Sequence, residues 1–128
     1  HDDFLLVVSY NPGYQSVLKA LKPSTRQRFA TLEFGYPPRD KEAEIIAHES
    51  GVSMDIALDL AHLAERVREL KSSGLEEGVS ARLLVYAGQL ISLGMPARKA
   101  CQSTVVLGLT DDAQTQEAIA ELVASIFP

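Results

Sequence analysis

The sequence has a single cysteine and no long apolar run. Cys101 alone excludes an intrachain disulfide framework and fits a reducing compartment. No apolar run approaches the roughly 18 residues that a membrane-spanning helix needs, and the polar, acidic start of the chain does not read as a signal peptide. The chain has 128 residues, of which 46% are hydrophobic, enough for one domain with a core. We therefore expect a soluble, cytoplasmic protein in which Cys101 is a small core residue.

The motifs of a self-sufficient catalyst are also missing. No GxxxxGK segment followed by Ser or Thr is present, and no hydrophobic strand ends in the acidic pair that would hold magnesium. There is no Gly-x-Ser-x-Gly motif, and the three histidines lie far apart. Glu44 with His48, and His62 with Glu65, share helix faces but lack the further ligands of a closed metal site. We expect neither a metal site nor ATP hydrolysis by this chain alone.

Charge is distributed unevenly along the chain. The formal net charge is −5, yet residues 1–39 carry five Lys and Arg against three acids, and residues 40–128 carry seven against fourteen. Four of the basic residues fall within ten positions: Lys19, Lys22, Arg26 and Arg28. Such a cluster can hold a polyphosphate but is much shorter than the basic stripe of a nucleic-acid-binding protein. An ordinary solvated loop is the alternative.

The first part of the chain has an α/β pattern. The apolar run Phe4 to Val8 predicts a buried strand of a parallel sheet, which would deliver Asn11 to its carboxyl end. A carboxamide at that position can reach a phosphate or a water molecule. The alternative is that Asn11 is simply a turn residue beside Pro12 and Gly13. Pro23 predicts a helix start, and Thr31 to Phe34 predict a second short strand.

After Pro38 the pattern is helical to the end of the sequence. Apolar residues recur at spacings of three and four, and Ser, Gly, Pro and Thr punctuate the segments. Five helices follow from this pattern. The first runs from Asp40 to Glu49, with Ile45 and Ile46 facing inward and Gly51 after its end, and the second is a long helix that is capped by Ser53 and reaches about Lys71. The third is capped by Ser80 and ends at Gly94, the fourth has Pro96 at its first position and reaches Leu107-Gly108, and the fifth is capped by Thr110.

Three segments carry a family resemblance: Ser9 to Phe29, Glu42 to Val52, and Gly74 to Gly88. Together they resemble the CbbQ/NirQ/NorQ family of MoxR-type AAA+ ATPases, with the whole chain aligned to the C-terminal half. The resemblance implies a mainly α fold, the C-terminal helical lid bundle of an AAA+ module preceded by two short strands left over from the α/β core. Residues 1–38 would end that core, and residues 39–128 would form the lid.

The resemblance also implies roles for four residues. Asn11 matches sensor 1, which orients the attacking water or contacts the γ-phosphate. Arg28, directly before a Phe, matches the arginine finger that acts on a neighbouring subunit's nucleotide, and Arg26 shares or replaces it. Arg82 matches the sensor 2 arginine of the lid. The alternatives are ordinary surface arginines for Arg26 and Arg28, and a salt bridge with Glu76 or Glu77 for Arg82. ATP and Mg²⁺ would be the cofactors of the full-length protein, with none expected in this fragment.

Partners follow from the same resemblance. Family members are expected to form homo-oligomeric rings, commonly hexamers, and to act with a von Willebrand factor A-domain protein. The clients would be Rubisco, which is activated, or nitric oxide reductase, which is matured. A different class of function also fits the sequence: a free-standing helical adaptor whose acidic bundle binds a protein partner. Exposure of the apolar run Phe4 to Val8 would be costly for such an adaptor.

Overall fold

The computed structural model describes residues 3–9, 22–70 and 78–128. It divides into two units, residues 1–35 and 36–128. The first unit contains helix α1, Pro23–Arg26, which is a single turn. Pro23 suits the first helical position because its ring fixes φ and its missing N–H would have no partner there. The predicted helix start at Pro23 is confirmed.

The two predicted strands are wrong. Neither Phe4 to Val8 nor Thr31 to Phe34 forms a strand, and both segments are exposed, with Phe4 at 75% and Phe34 at 88%. A strand needs a neighbour that pairs with its backbone N–H and C=O groups. No segment within the described residues supplies that neighbour, so the apolar pattern alone does not make a sheet. The mainly α character of the fold is confirmed.

The second unit is a helical bundle. Its elements are α2, Arg39–Ser50; α3, Met54–Glu69; α4, Ala81–Ser92; α5, Ala97–Cys101, continued by a π-helical segment, Gln102–Val106, and by α6, Leu107–Leu109; and α7, Ala113–Ile126. Helix α2 packs against α3 and α4, α3 also packs against α7, and α4 packs against α5 and the π-helical segment. With α5 to α6 taken as one continuous helix, the five predicted helices are confirmed.

Glycines and a serine set several helix boundaries as expected. Gly51 ends α2 with φ of 77°, and Gly94 follows α4 with φ of 97°, a region that residues with a Cβ rarely adopt. At the start of α3 the Ser53 hydroxyl accepts a hydrogen bond from the Ile56 amide at 3.4 Å. These three boundaries follow from local chemistry, which is why the sequence alone predicts them.

Two other boundaries differ from the prediction. Asp112, not Thr110, caps α7, because its carboxylate accepts hydrogen bonds from the hydroxyl and the amide of Thr115, at 2.6 and 2.8 Å. These bonds hold the pKa of Asp112 below its usual range. Pro96 is the residue before α5 rather than its first residue. Both helices therefore begin one or two positions later than the sequence predicts.

The core is formed by one face of each helix. The largest fully buried side chains include Ile46, Leu60, Leu63, Leu84 and Ile119. The prediction that both Ile45 and Ile46 face inward is wrong for Ile45, which is 44% exposed, because adjacent helical residues point about 100° apart.

Cys101 lies in this core, as predicted. Burial raises the pKa of its thiol to about 12, so the thiol stays protonated at neutral pH. Among the helices that the structure describes, none has the length and apolar character needed to cross a membrane.

Candidate functional site

The predicted arginine finger lies just after α1. Arg26 ends this helix, and the Arg28 amide donates to the Thr25 carbonyl oxygen at 3.1 Å, so the chain continues to turn beyond Arg26. Both arginine side chains are exposed. An exposed guanidinium can reach a group on another molecule, but the local geometry does not favour one arginine over the other. Asn11, the predicted sensor 1, lies outside the described residues.

The predicted sensor 2 residue, Arg82, lies in the first turn of α4 in the second unit. Its side chain is exposed. Ser80 is the N-cap, as predicted, but its side chain makes no capping hydrogen bond, and the first turn contains no acidic residue. This helix end therefore combines its partial positive charge with a full positive charge, an arrangement that favours an anion such as a phosphate. The acidic residues considered as an alternative partner, Glu76 and Glu77, lie outside the described residues.

A buried ion pair lies immediately next to this helix end. The Arg68 guanidinium donates from Nη1 to Glu42 Oε2 at 2.8 Å and from Nη2 to Glu42 Oε1 at 2.7 Å. The Glu42 side chain is fully buried, and that of Arg68 is only 12% exposed. This two-pronged geometry matches the planar guanidinium to the carboxylate, so both buried charges are compensated.

The same guanidinium holds the segment that leads into α4. Arg68 Nε and Nη2 both donate to the Val79 carbonyl oxygen, at 3.0 and 2.8 Å, and Val79 is buried. The Tyr36 ring covers the guanidinium, with its centroid 3.6 Å from Cζ. A Cβ on Gly78 would lie 2.8 Å from the Tyr36 hydroxyl oxygen, so a larger residue at this position would displace the Tyr36 ring. Arg68 thus joins three parts of the chain: Tyr36 at the start of the unit, α2 and the entry to α4.

Sequence reasoning missed this cluster, although its signal was present. Glu42 lies four residues before the buried Ile46, and Arg68 lies four residues after the buried Ala64, so both occupy inward positions of their helices. Two opposite charges on the buried faces of successive helices predict a pair. The third partner, the Val79 carbonyl oxygen, is a backbone atom and leaves no trace in the sequence.

The residues present fit a phosphate better than a metal ion. Arg82 at an uncapped helix N-terminus supplies charge and amide donors for phosphate oxygens. Among the described residues, no group of three or more His, Cys, Asp or Glu side chains could hold a metal ion.

Comparison with known proteins identifies the family. Residues 42–126 match the model of the CbbQ/NirQ/NorQ C-terminal family, a range that begins at the buried Glu42. The chain is 51% identical over 124 residues to Protein NorQ of Paracoccus denitrificans, covering 97% of this chain and 46% of the relative. It is 49% identical over 127 residues to Protein CbbQ of Hydrogenophilus thermoluteolus, covering 99% of this chain and 48% of the relative.

A third relative, the denitrification regulatory protein NirQ of Pseudomonas aeruginosa, is 48% identical over 120 residues, which cover 94% of this chain and 46% of the relative. The chain thus spans about half the length of the curated relatives it matches. The family match covers the bundle from residue 42 to residue 126, including the Glu42–Arg68 pair and Arg82. The chain therefore belongs to the CbbQ/NirQ/NorQ C-terminal family.

Proposed function

We propose that this chain is the sensor and lid part of an AAA+ ATPase that uses ATP hydrolysis to activate or remodel a metabolic enzyme. The observation that carries the proposal is the position of Arg82, exposed at an uncapped helix N-terminus within the segment that matches the family model. A helical lid with such an arginine can close over the phosphates of a bound nucleotide. The near-complete coverage of this chain by NorQ and CbbQ relatives supports the same proposal.

Each proposed residue has a separate task. ATP, when bound, supplies the phosphoryl group that water attacks, and Mg²⁺ offsets its negative charge. Arg82 holds phosphate oxygens of its own subunit's nucleotide. Arg28, with Arg26 as the alternative, reaches a neighbouring subunit's nucleotide and stabilises the charge that develops during transfer, which a planar guanidinium does better than an ammonium group. Asn11 orients the attacking water in the sensor 1 role. Arg28 can act in this way only in an assembled ring.

The test uses a full-length protein that carries this segment. Arg28→Ala should abolish most ATP hydrolysis while nucleotide binding persists, because a finger acting across subunits stabilises the transition state rather than the bound ground state. Turnover is measured with steady-state phosphate release, and binding with a fluorescent nucleotide. Arg26→Ala is the matched comparison. If the Arg28→Ala protein turns over normally and the Arg26→Ala protein does not, the finger is Arg26, and if neither changes turnover the finger role is refuted.

The names of the relatives suggest which enzyme this protein acts on, and the client is therefore part of the proposal. We propose a ring of identical subunits that acts with a von Willebrand factor A-domain protein on Rubisco or on nitric oxide reductase. The genes adjacent to the coding sequence indicate which of the two client enzymes should be tested first. The decisive measurement is ATP-dependent recovery of activity from inhibited Rubisco, or from immature nitric oxide reductase, with both proteins present. Recovery without ATP, or none for either client, would contradict the proposal and favour a helical adaptor.

A further inference from the structure

Arg68 donates hydrogen bonds to the Val79 carbonyl oxygen, and packing of the core does not require this contact. A carboxylate alone already compensates the guanidinium, yet two of the four hydrogen bonds that Arg68 makes to the described residues go to one backbone oxygen. Val79 lies two residues before the start of α4 and three before Arg82. The hydrogen bonds therefore fix the backbone just where the proposed phosphate-binding helix begins.

We propose that Arg68 is a positioning residue, which sets the place of the α4 N-terminus and so of Arg82 in nucleotide recognition. This inference rests on the proposed function, since it concerns how the sensor 2 arginine is held. Arg68 does not reach the nucleotide itself, because its guanidinium is occupied by Glu42, Val79 and the Tyr36 ring.

The geometry explains why the α4 entry needs outside support. Ser80 provides no side-chain cap, so the start of α4 lacks the hydrogen bond that fixes Ser53 at the start of α3. A second support comes from the buried Val79 side chain. A helix end left uncapped keeps its amides available for a ligand but loses local rigidity, and the Arg68 contacts restore that rigidity from the adjacent helix without occupying the amides.

The Tyr36 contact extends the coupling. Tyr36 is the first residue of the second unit, and its ring lies on the same guanidinium that holds Val79. A shift of Tyr36 would reach the start of α4 through a single rigid planar group. Arg68 therefore links the chain that enters the lid unit to the helix that carries Arg82.

The test is a double-mutant cycle in a full-length protein that carries this segment. Arg82→Ala should lower kcat/KM for ATP hydrolysis on the order of 100-fold, as removal of one charge-stabilising donor does. Arg68→Lys keeps the positive charge but cannot bond to Glu42 and Val79 in the same fork. It should lower kcat/KM by up to about 100-fold, because a misplacement of about 1 Å can cost that much. The double variant should be no worse than Arg82→Ala alone.

A second readout is independent of hydrolysis. Hydrogen exchange at the backbone amides of Leu83 and Leu84, which both donate to the Ser80 carbonyl oxygen, should be faster in Arg68→Lys, while thermal denaturation shows whether the bundle stays folded. The matched control is Arg66→Lys on the same helix, whose guanidinium makes an exposed salt bridge to Glu69 at 3.0 Å. This variant should leave both readouts unchanged. If Arg68→Lys does not fold, Glu42→Gln takes its place in the cycle, with the same pattern expected at smaller size.

The outcomes separate the two levels of the proposal. The positioning role would be supported by faster hydrogen exchange at the start of α4 together with a double variant whose kcat/KM is no lower than that of Arg82→Ala alone. If Arg82→Ala lowers kcat/KM while Arg68→Lys leaves it unchanged, or if the two losses multiply, the positioning role is overturned and the sensor role of Arg82 stands. If Arg82→Ala itself leaves kcat/KM unchanged, the sensor role falls, and the positioning role falls with it.

Discussion

The two units of this chain differ in how far their apolar side chains are buried. In residues 36–128 the apolar side chains of five helices share one core, with Leu60, Leu63 and Val67 fully buried. In residues 1–35 no described residue is buried, and Phe4 and Phe34 are mostly exposed. The difference shows that a helix satisfies its own backbone and needs only one covered face, whereas an extended apolar segment needs a partner for its backbone as well.

The largest difference between the units in the free energy of unfolding is expected when an acidic residue is replaced. Glu42→Ala should lower the free energy of unfolding by about 3–5 kcal/mol, because it leaves the largely buried Arg68 without its carboxylate. Glu33→Ala, at an exposed position of the first unit, should change it by no more than about 0.5 kcal/mol. Urea denaturation followed by circular dichroism measures both. Equal effects at the two positions would mean that the ion pair does not stabilise the bundle.

An intermediate difference is expected for glycines. A Cβ on Gly88 would overlap the Ser50 side chain, where α2 and α4 approach closely, so Gly88→Ala should cost about 1–3 kcal/mol of unfolding free energy. Gly35→Ala is the matched variant in the first unit, where nothing lies within 4 Å of the added atom, and it should be nearly neutral. Chemical denaturation of the two variants checks this. A Gly88→Ala protein as stable as the parent would show that α2 and α4 can separate enough to accept the added methyl group without a loss of stability.

The smallest difference is expected for helix caps. Ser53→Ala removes the hydroxyl that accepts from the Ile56 amide and should cost about 1 kcal/mol. Ser24→Ala changes an exposed serine in the single-turn helix of the first unit and should have little effect on the same transition. The two midpoints can be compared in one thermal melting experiment. A larger shift for Ser24→Ala would mean that α1 contributes to the stability of the fold after all.

The bundle could be predicted because its signals are local. The spacing of Leu60, Leu63, Ala64 and Val67 identifies the buried face of α3, and Gly51 and Gly94 mark helix ends. The strands could not be predicted correctly, because the pattern of Phe4 to Val8 describes a side chain's preference for burial but not whether a pairing strand exists.

The sequence identifies some of the residues of the candidate site but not all of them. A family resemblance points to Arg26, Arg28 and Arg82, and the structure adds that all three are exposed. The sequence does not point to the role of Arg68, because that role depends on the Val79 carbonyl oxygen and the Tyr36 ring, which come together only when three distant segments pack.

The sequence by itself determined the helical bundle: its five helices, most of their boundaries, the buried Cys101 and the family to which the chain belongs. These depend on periodicity and on capping residues, which act over a few positions. Only the tertiary structure decided that Ile45 faces outward, that the apolar run of the first unit is uncovered, and that Glu42 and Arg68 hold the entry to α4. Those features depend on which surfaces meet, and no single stretch of sequence specifies its partner.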